Sequence, residues 1–183
     1  MIWKKKYEEL RKGSHSDLIA RINGHYLVFG ESQFLPGYMI LIHKNPGFKR
    51  LSDLAIEDQI EFMLLITCIQ ATLTQHLEGE NIDFKRCNIE VLGNKDHYVH
   101  AHIWPRFGWE SNHLAQESVR SYTLGDIRET MSKINEKKYQ VNREQFSIEF
   151  LSKFEVILHE FAQVRDIGKR IFSLDPHVER IIL

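Results

Sequence analysis

Cysteine is almost missing from this 183-residue chain: Cys68 and Cys87 stand alone, with no C-x-x-C pair. A disulfide framework and a cysteine zinc site are therefore unsupported. Charge of one sign is also missing. With 24 basic and 25 acidic residues the net charge is −1. No global field draws nucleic acid or an anionic membrane, and a phosphate-bearing ligand has to be held by local groups. Long hydrophobic runs are lacking too. The longest, Phe62 to Ile66, is far too short to span a bilayer. Lys4, Lys5 and Lys6 are not followed by the apolar stretch of a secretory leader, so a cytoplasmic protein is expected. Internal repeats and low-complexity tracts are absent. What is present, 43% hydrophobic and 27% charged residues, is ordinary for a soluble globular protein. The length suits one domain with room for a helical extension.

Residues 3–11 suit a short amphipathic helix ending near Gly13. Two β-prone runs, Leu18–Ile22 and His25–Phe29, flank Asn23-Gly24, the strongest local hairpin signal because both residues tolerate positive φ. Gly30 to Pro36 reads as a loop, and Gly37 to His43 as a third, largely buried strand stopped by Lys44-Asn45-Pro46-Gly47. Ser52 or Asp53 is placed to cap a long helix reaching about Leu77. In it Ile56, Ile60, Met63, Thr67 and Ala71 recur at helical spacing. Cys87, Ile89 and Val91 alternate with polar residues as a fourth strand, and Gly93 to Asp96 turns into a fifth. Together these predict an α+β domain over residues 1–110, an antiparallel sheet of about five strands with a long helix packed on it. Residues 111–183 read as a helical C-terminal extension. Ile127, Met131 and Ile134 follow a possible Asp126 cap. A second stripe, Phe150, Phe154, Leu158 and Phe161 with Leu151, Ile157 and Val164 beside it, belongs to a core on the sheet or on a second subunit.

The fifth strand carries the chemistry. Tyr98-Val99-His100-Ala101-His102-Ile103-Trp104-Pro105-Arg106 puts Tyr98, His100, His102 and Trp104 on one face and the apolar residues on the other. Two imidazoles then stand about 7 Å apart along the strand, a pair that core packing does not ask for. Three uses are open: two structural histidines, two metal ligands, or a nucleophile with an acid–base partner. A zinc site needs three or four ligands. His97 points away from the pair, and no Asp, Glu or Cys nearby in sequence shares its face. Neutral imidazole is a competent nucleophile, and a second imidazole can neutralise charge on a phosphate. Lys44 and Arg106 are candidate pocket cations or solvated surface groups, and Trp104 is expected to pack. His43, His76, His159 and His177 read as surface or capped residues.

Gly93-Asn94, followed by Tyr98-Val99-His100-Ala101-His102-Ile103-Trp104-Pro105-Arg106, resembles the histidine triad (HIT) signature H-φ-H-φ-H-φ-φ with Pro-Arg behind it. It is most similar to the bacterial branch of diadenosine polyphosphate hydrolase-like proteins. Phe34-Leu35-Pro36-Gly37-Tyr38-Met39-Ile40-Leu41-Ile42 and Leu51-Ser52-Asp53-Leu54 resemble further elements of that family, in order, over residues 17–107. The resemblance implies a HIT-like fold and a nucleotide hydrolase acting through a covalent nucleotidyl-histidine. It implies His100 as nucleophile, its ring held by the carbonyl of residue 98, and His102 at the phosphate. Gly93 and Asn94 are implied at the phosphate, and Glu31 and Ser32 near the ribose. A nucleotide or dinucleotide substrate and a homodimer are implied as well. Nucleic acid and membrane are not expected as partners, nor is a cofactor or a resident metal, a divalent ion entering only with the substrate.

The chain departs from the signature at Tyr98, where the first triad histidine belongs. A tyrosine hydroxyl donates a hydrogen bond but carries no charge near neutral pH. Three readings follow: a working hydrolase with altered rate or preference, a catalytically impaired nucleotide-binding protein, and a metal-dependent hydrolase with His100 and His102 as ligands.

Overall fold

A computed structural model describes residues 2–80, 82–91, 97–136, 141–163 and 178–180. Helix α1 (Ile2–Lys12) precedes three strands, β1 (Leu18–Ile22), β2 (His25–Phe29) and β3 (Met39–His43). A 3-10 turn at Leu51–Asp53 leads into α2 (Ile56–Glu78), then β4 (Phe84–Val91) and β5 (His100–Phe107). Beyond these lie α3 (Asn112–Ala115), α4 (Leu124–Glu136), α5 (Arg143–Gln163) and β6 (Val178–Arg180). The strands pair antiparallel in the order β4-β5-β3-β2-β1-β6. The α+β architecture expected from sequence is therefore present, five strands and a long helix, with β6 added at the β1 edge. The β1–β2 hairpin closes at Asn23-Gly24 with Ile22 opposite His25, and Asn23 takes the left-handed φ of 47°. Strand β3 starts at Met39 rather than Gly37, which sits at φ 84° packed against Leu73 and Phe146.

Both faces of the sheet are covered, which is why β5 is buried along its whole length. On one face Leu27, Phe29, Met39, Leu41, Ala101 and Ile103 meet Phe62, Leu65, Ile69 and Leu73 of α2. Helix α5 lies on α2 and adds Phe150, Phe154 and Leu158 to the same cluster. On the other face Leu18, Tyr26, Val28, Ile42 and Tyr98 meet Tyr7 and Leu10 of α1.

Several expectations need correction. The α2 stripe expected from spacing turns largely outward: Ile56, Met63 and Thr67 are exposed, while Phe62, Leu65, Ile66, Ile69, Leu73 and Leu77 are buried. Helix α2 is apolar on more than one side, so two stripes compete, and the bulkier one wins the sheet. Its 23 residues are long and apolar enough to cross a membrane, contrary to the run-length reading, yet the helix is mostly buried in the core. Asp53 does not cap α2. Its carboxylate accepts the N–H groups of Lys49 and Arg50 to close the 3-10 turn, and the N-cap of α2 is Ala55. Asp126 lies inside α4, and Thr123 caps it: Asp126 N–H donates to Thr123 Oγ1, and Thr123 N–H donates to Asp126. His43 and His76 are buried rather than at the surface, while His159 is exposed. Gly93 to Asp96, Val164 and His177 lie outside the described residues.

Two predictions follow from this packing. Phe154 is fully buried and Val156 is 57% exposed. Phe154→Ala is expected to cost about 3–5 kcal/mol and Val156→Ala within about 0.5 kcal/mol, measured by urea unfolding. Equal effects would remove α5 from the main core. His25 is 1% exposed, its ring 5.1 Å from His43 and 5.6 Å from Phe62. Burial first, and then the neighbouring His43, push its pKa down to about 3. The unfolded chain takes up this proton near pH 6.5 and the folded chain only near 3. The stability is therefore complete above the unfolded value and lost as pH falls through the window, by about 1.4 kcal/mol per pH unit for one proton. Urea midpoints from pH 7 to 4 should show this slope, and His25→Leu should flatten it.

Candidate active site

Strand β5 lies between β3 and β4, with His100 opposite Ile42, and His102 opposite Ile40 on one side and Glu90 on the other. This register sends Val99, Ala101 and Ile103 into the α2 core and turns His100 and His102 to the α1 face, as the spacing predicts. The two rings lean together, 4.9 Å between centroids and nearly perpendicular. His100 Nδ1 lies 2.8 Å from the Tyr98 carbonyl oxygen. A carbonyl only accepts, so Nδ1 carries the proton in the neutral ring and Nε2 keeps its lone pair. His102 Nδ1 lies 2.7 Å from the Tyr38 hydroxyl. The Tyr38 ring stacks on Trp104 at 3.6 Å, and Trp104 is parallel to His102 at 5.3 Å.

The histidine face is closed. His100 is 3% and His102 4% exposed. At one end Tyr98 packs against His100 at 4.8 Å and meets the edge of Tyr7 from α1 at 5.5 Å. Tyr7 donates its hydroxyl to the His43 carbonyl, and Arg21 of β1 donates to the carbonyls of Leu10 and Arg11 at the end of α1. At the other end Trp104 meets Phe34, and Tyr122 from the chain after β5 packs on Phe34 in turn. Arg106 organises that segment: its Nε donates to both Glu110 oxygens, and its terminal nitrogens reach the Leu114 and Glu117 carbonyls and the Tyr122 hydroxyl. Arg106 is thus neither a pocket cation nor a surface group. It is a buried ion-pair partner fixing a loop. Trp104 packs as expected and also borders the histidine pair, its indole N–H donating to Glu90.

The remaining sequence candidates scatter. Glu31 and Ser32 are exposed on the loop after β2, where Glu31 pairs with Lys6 of α1 at 3.0 Å. Gln33 turns inward instead, donating to the Gly30 and Tyr38 carbonyls and accepting from the Gly37 N–H. Gly93 and Asn94 lie outside the described residues. His97 is exposed, and Lys44 is exposed with its ammonium near the Asn23 carbonyl. Tyr38 is the residue that sequence reading missed. The alternation of β3, extended back by one residue, already put it on the histidine face. Among the described residues one trio has metal-capable atoms within 4.8 Å, His76, Glu80 and Glu149. It lies where α2 meets α5, with Lys153 Nζ 3.5 Å from His76 Nδ1.

No family model and no curated protein sequence matches this chain. Solved structures do resemble it. A histidine triad (HIT) protein from Sinorhizobium meliloti is 18% identical, covering 70% of this chain and 93% of its own at a TM-score of 0.46. A histidine triad protein from Marinobacter aquaeolei is 16% identical over 70% and 91%, TM-score 0.46. A zinc-bound histidine triad family protein from Mycobacterium smegmatis is 14% identical over 75% and 94%, TM-score 0.46. The structural neighbours are histidine triad proteins. The likeness is one of chain course, at identities below 20%.

Helix α1 covers the Tyr98 end of that face, so loosening it should expose the imidazoles. Arg21→Met removes both bonds to the α1 carbonyls. It is expected to speed carbethoxylation of His100 and His102 by diethyl pyrocarbonate several-fold, read by peptide mass spectrometry. An unchanged rate would show that α1 does not limit access.

Proposed function

We propose that this protein is a nucleotide hydrolase that cleaves dinucleoside polyphosphates or related nucleoside phosphates through a covalent nucleotidyl-His100. The observation that carries the reading is the 2.8 Å hydrogen bond between His100 Nδ1 and the Tyr98 carbonyl, beside a second imidazole on the same face. A carbonyl acceptor leaves Nε2 as the nucleophilic atom and stabilises the positive charge the ring acquires on attack. In the first step Nε2 of His100 bonds to the α-phosphorus, and the bond to the leaving phosphate oxygen breaks. That oxygen departs as an anion and needs no proton. In the second step water attacks phosphorus, the P–N bond breaks, and the water proton passes to solvent. His102, 4.9 Å away, supplies a hydrogen bond to the phosphoryl oxygens as their charge shifts.

Tyr98 contributes its main chain to this scheme. The residue that replaces the first triad histidine is used through an oxygen every residue has, which supports turnover over mere binding. Metal has no part in the covalent step, and a divalent ion accompanies the substrate. The activity is expected in the cytoplasm, and in a homodimer as the resemblance implies. Labelled diadenosine polyphosphate should release AMP, with a transient acid-labile adduct on His100. His100→Ala should lower kcat by at least about 10³-fold, the scale on which losing a nucleophile acts. Tyr98→Phe, which keeps the carbonyl, should retain activity within a few-fold. Activity that survives His100→Ala would sink the covalent reading. Nucleotide binding without turnover would point to a binding protein, and stoichiometric zinc lost on mutating either His100 or His102 would point to a resident metal.

A further inference from the structure

We infer that Tyr38 is the positioning residue of the histidine pair: its hydroxyl fixes the tautomer of His102, so that the two rings present complementary atoms. The inference rests on the phosphoryl-transfer reading above for its consequence, but not for its geometry. His100 donates from Nδ1 to a carbonyl and holds a lone pair at Nε2. His102 meets a phenol at Nδ1, at 2.7 Å. A phenol O–H, with a reference pKa near 10, is a far stronger acid than a neutral imidazole N–H, so the phenol donates and Nδ1 accepts. The neutral His102 ring then carries its proton at Nε2. One histidine therefore offers an electron pair and its neighbour an N–H.

Tyr38 is built into that position. Its ring lies flat on Trp104 at 3.6 Å and 15°. A Cβ at Gly30 would stand 1.9 Å from the Tyr38 ring, so only glycine leaves room for it there. The main chain is clamped as well: Gly30 N–H and Gln33 Nε2 both donate to the Tyr38 carbonyl, and Tyr38 N–H donates to Leu35. A hydroxyl held on both ring and backbone sides sets its partner's orientation at little entropic cost. In the transfer step His102 Nε2–H donates a hydrogen bond to a non-bridging oxygen while His100 Nε2 bonds to phosphorus. No proton is transferred between the two rings.

The test reads the tautomers directly. Long-range ¹H–¹⁵N spectra of the ¹⁵N-labelled full chain at pH 8, assigned with His102→Gln, should show His102 as the Nε2–H form and His100 as the Nδ1–H form. In Tyr38→Phe, which keeps the ring on Trp104, His102 should lose its single tautomer. With diadenosine polyphosphate as substrate, kcat should then fall about tenfold with KM nearly unchanged, the lower end of what loss of an orienting outer partner costs. An Nδ1–H tautomer of His102 in the unaltered protein overturns the proposal. So does a Tyr38→Phe variant with the same tautomer and the same kcat. The hydrolase reading fails separately: if the protein releases no AMP, the spectra still decide what Tyr38 does to His102.

Discussion

The hydrogen bond from His100 to the carbonyl two residues before it is the interaction on which the site depends. It is made by main chain on one side and by an imidazole on the other. It survives any side chain at position 98 that lets the backbone reach the same conformation. That backbone is fixed independently: Val99 N–H donates to Phe48, and His43 N–H donates to Val99, tying the entry of β5 to the segment around β3. A tyrosine can therefore stand where a histidine is expected without releasing the His100 ring. Its ring is put to structural use between His100 and Tyr7.

Around that bond the fold creates an asymmetric sheet. One face is a deep apolar core built by α2 and reinforced by α5. The other is shallower and carries a row of rings from Tyr7 through Tyr98, His100 and His102 to Trp104 and Tyr38. Register links the two faces. A one-residue slip of β5 would drive both imidazoles into the α2 core and Ala101 and Ile103 out of it. The apolar alternation that buries β5 is thus the same feature that presents the histidines. Aromatic neighbours and low exposure give the pair a low-dielectric setting, in which a hydrogen bond to developing charge counts for more than in water.

Much of this was legible in the chain because it is local. The Asn23-Gly24 hairpin, the two-residue alternation of β5 and the phenylalanine stripe of α5 each depend on residues close in sequence. What was misread depends on partners far away. The face of α2 could not be chosen from spacing alone, since the choice belongs to the sheet and α5, which lie on different sides of one apolar helix. Arg106 reads from sequence as a pocket cation or a solvated surface group because Glu110, Leu114 and Tyr122 follow it in a stretch with no clear pattern. Tyr38 and His102 are 64 positions apart, and only the pairing of β3 with β5 brings them together. Strand β6 is three residues long, below what alternation can reveal.

The same asymmetry decides how the site can be reached. Helix α2 is held by a large shared core and cannot leave its face without unfolding the protein. Among the described contacts α1 is held by much less: Tyr7 and Leu10 against the sheet, the Tyr7 hydroxyl on the His43 carbonyl, two carbonyls on Arg21, and the Lys6–Glu31 pair at the surface. An exposed ion pair of that kind is worth less than about 1 kcal/mol, and each buried apolar side chain about 1.5–3 kcal/mol. These described contacts are few beside the α2 core, and a ligand that binds the opened histidine face better than the closed one can displace α1. A closed site is thus compatible with the transfer chemistry proposed for it.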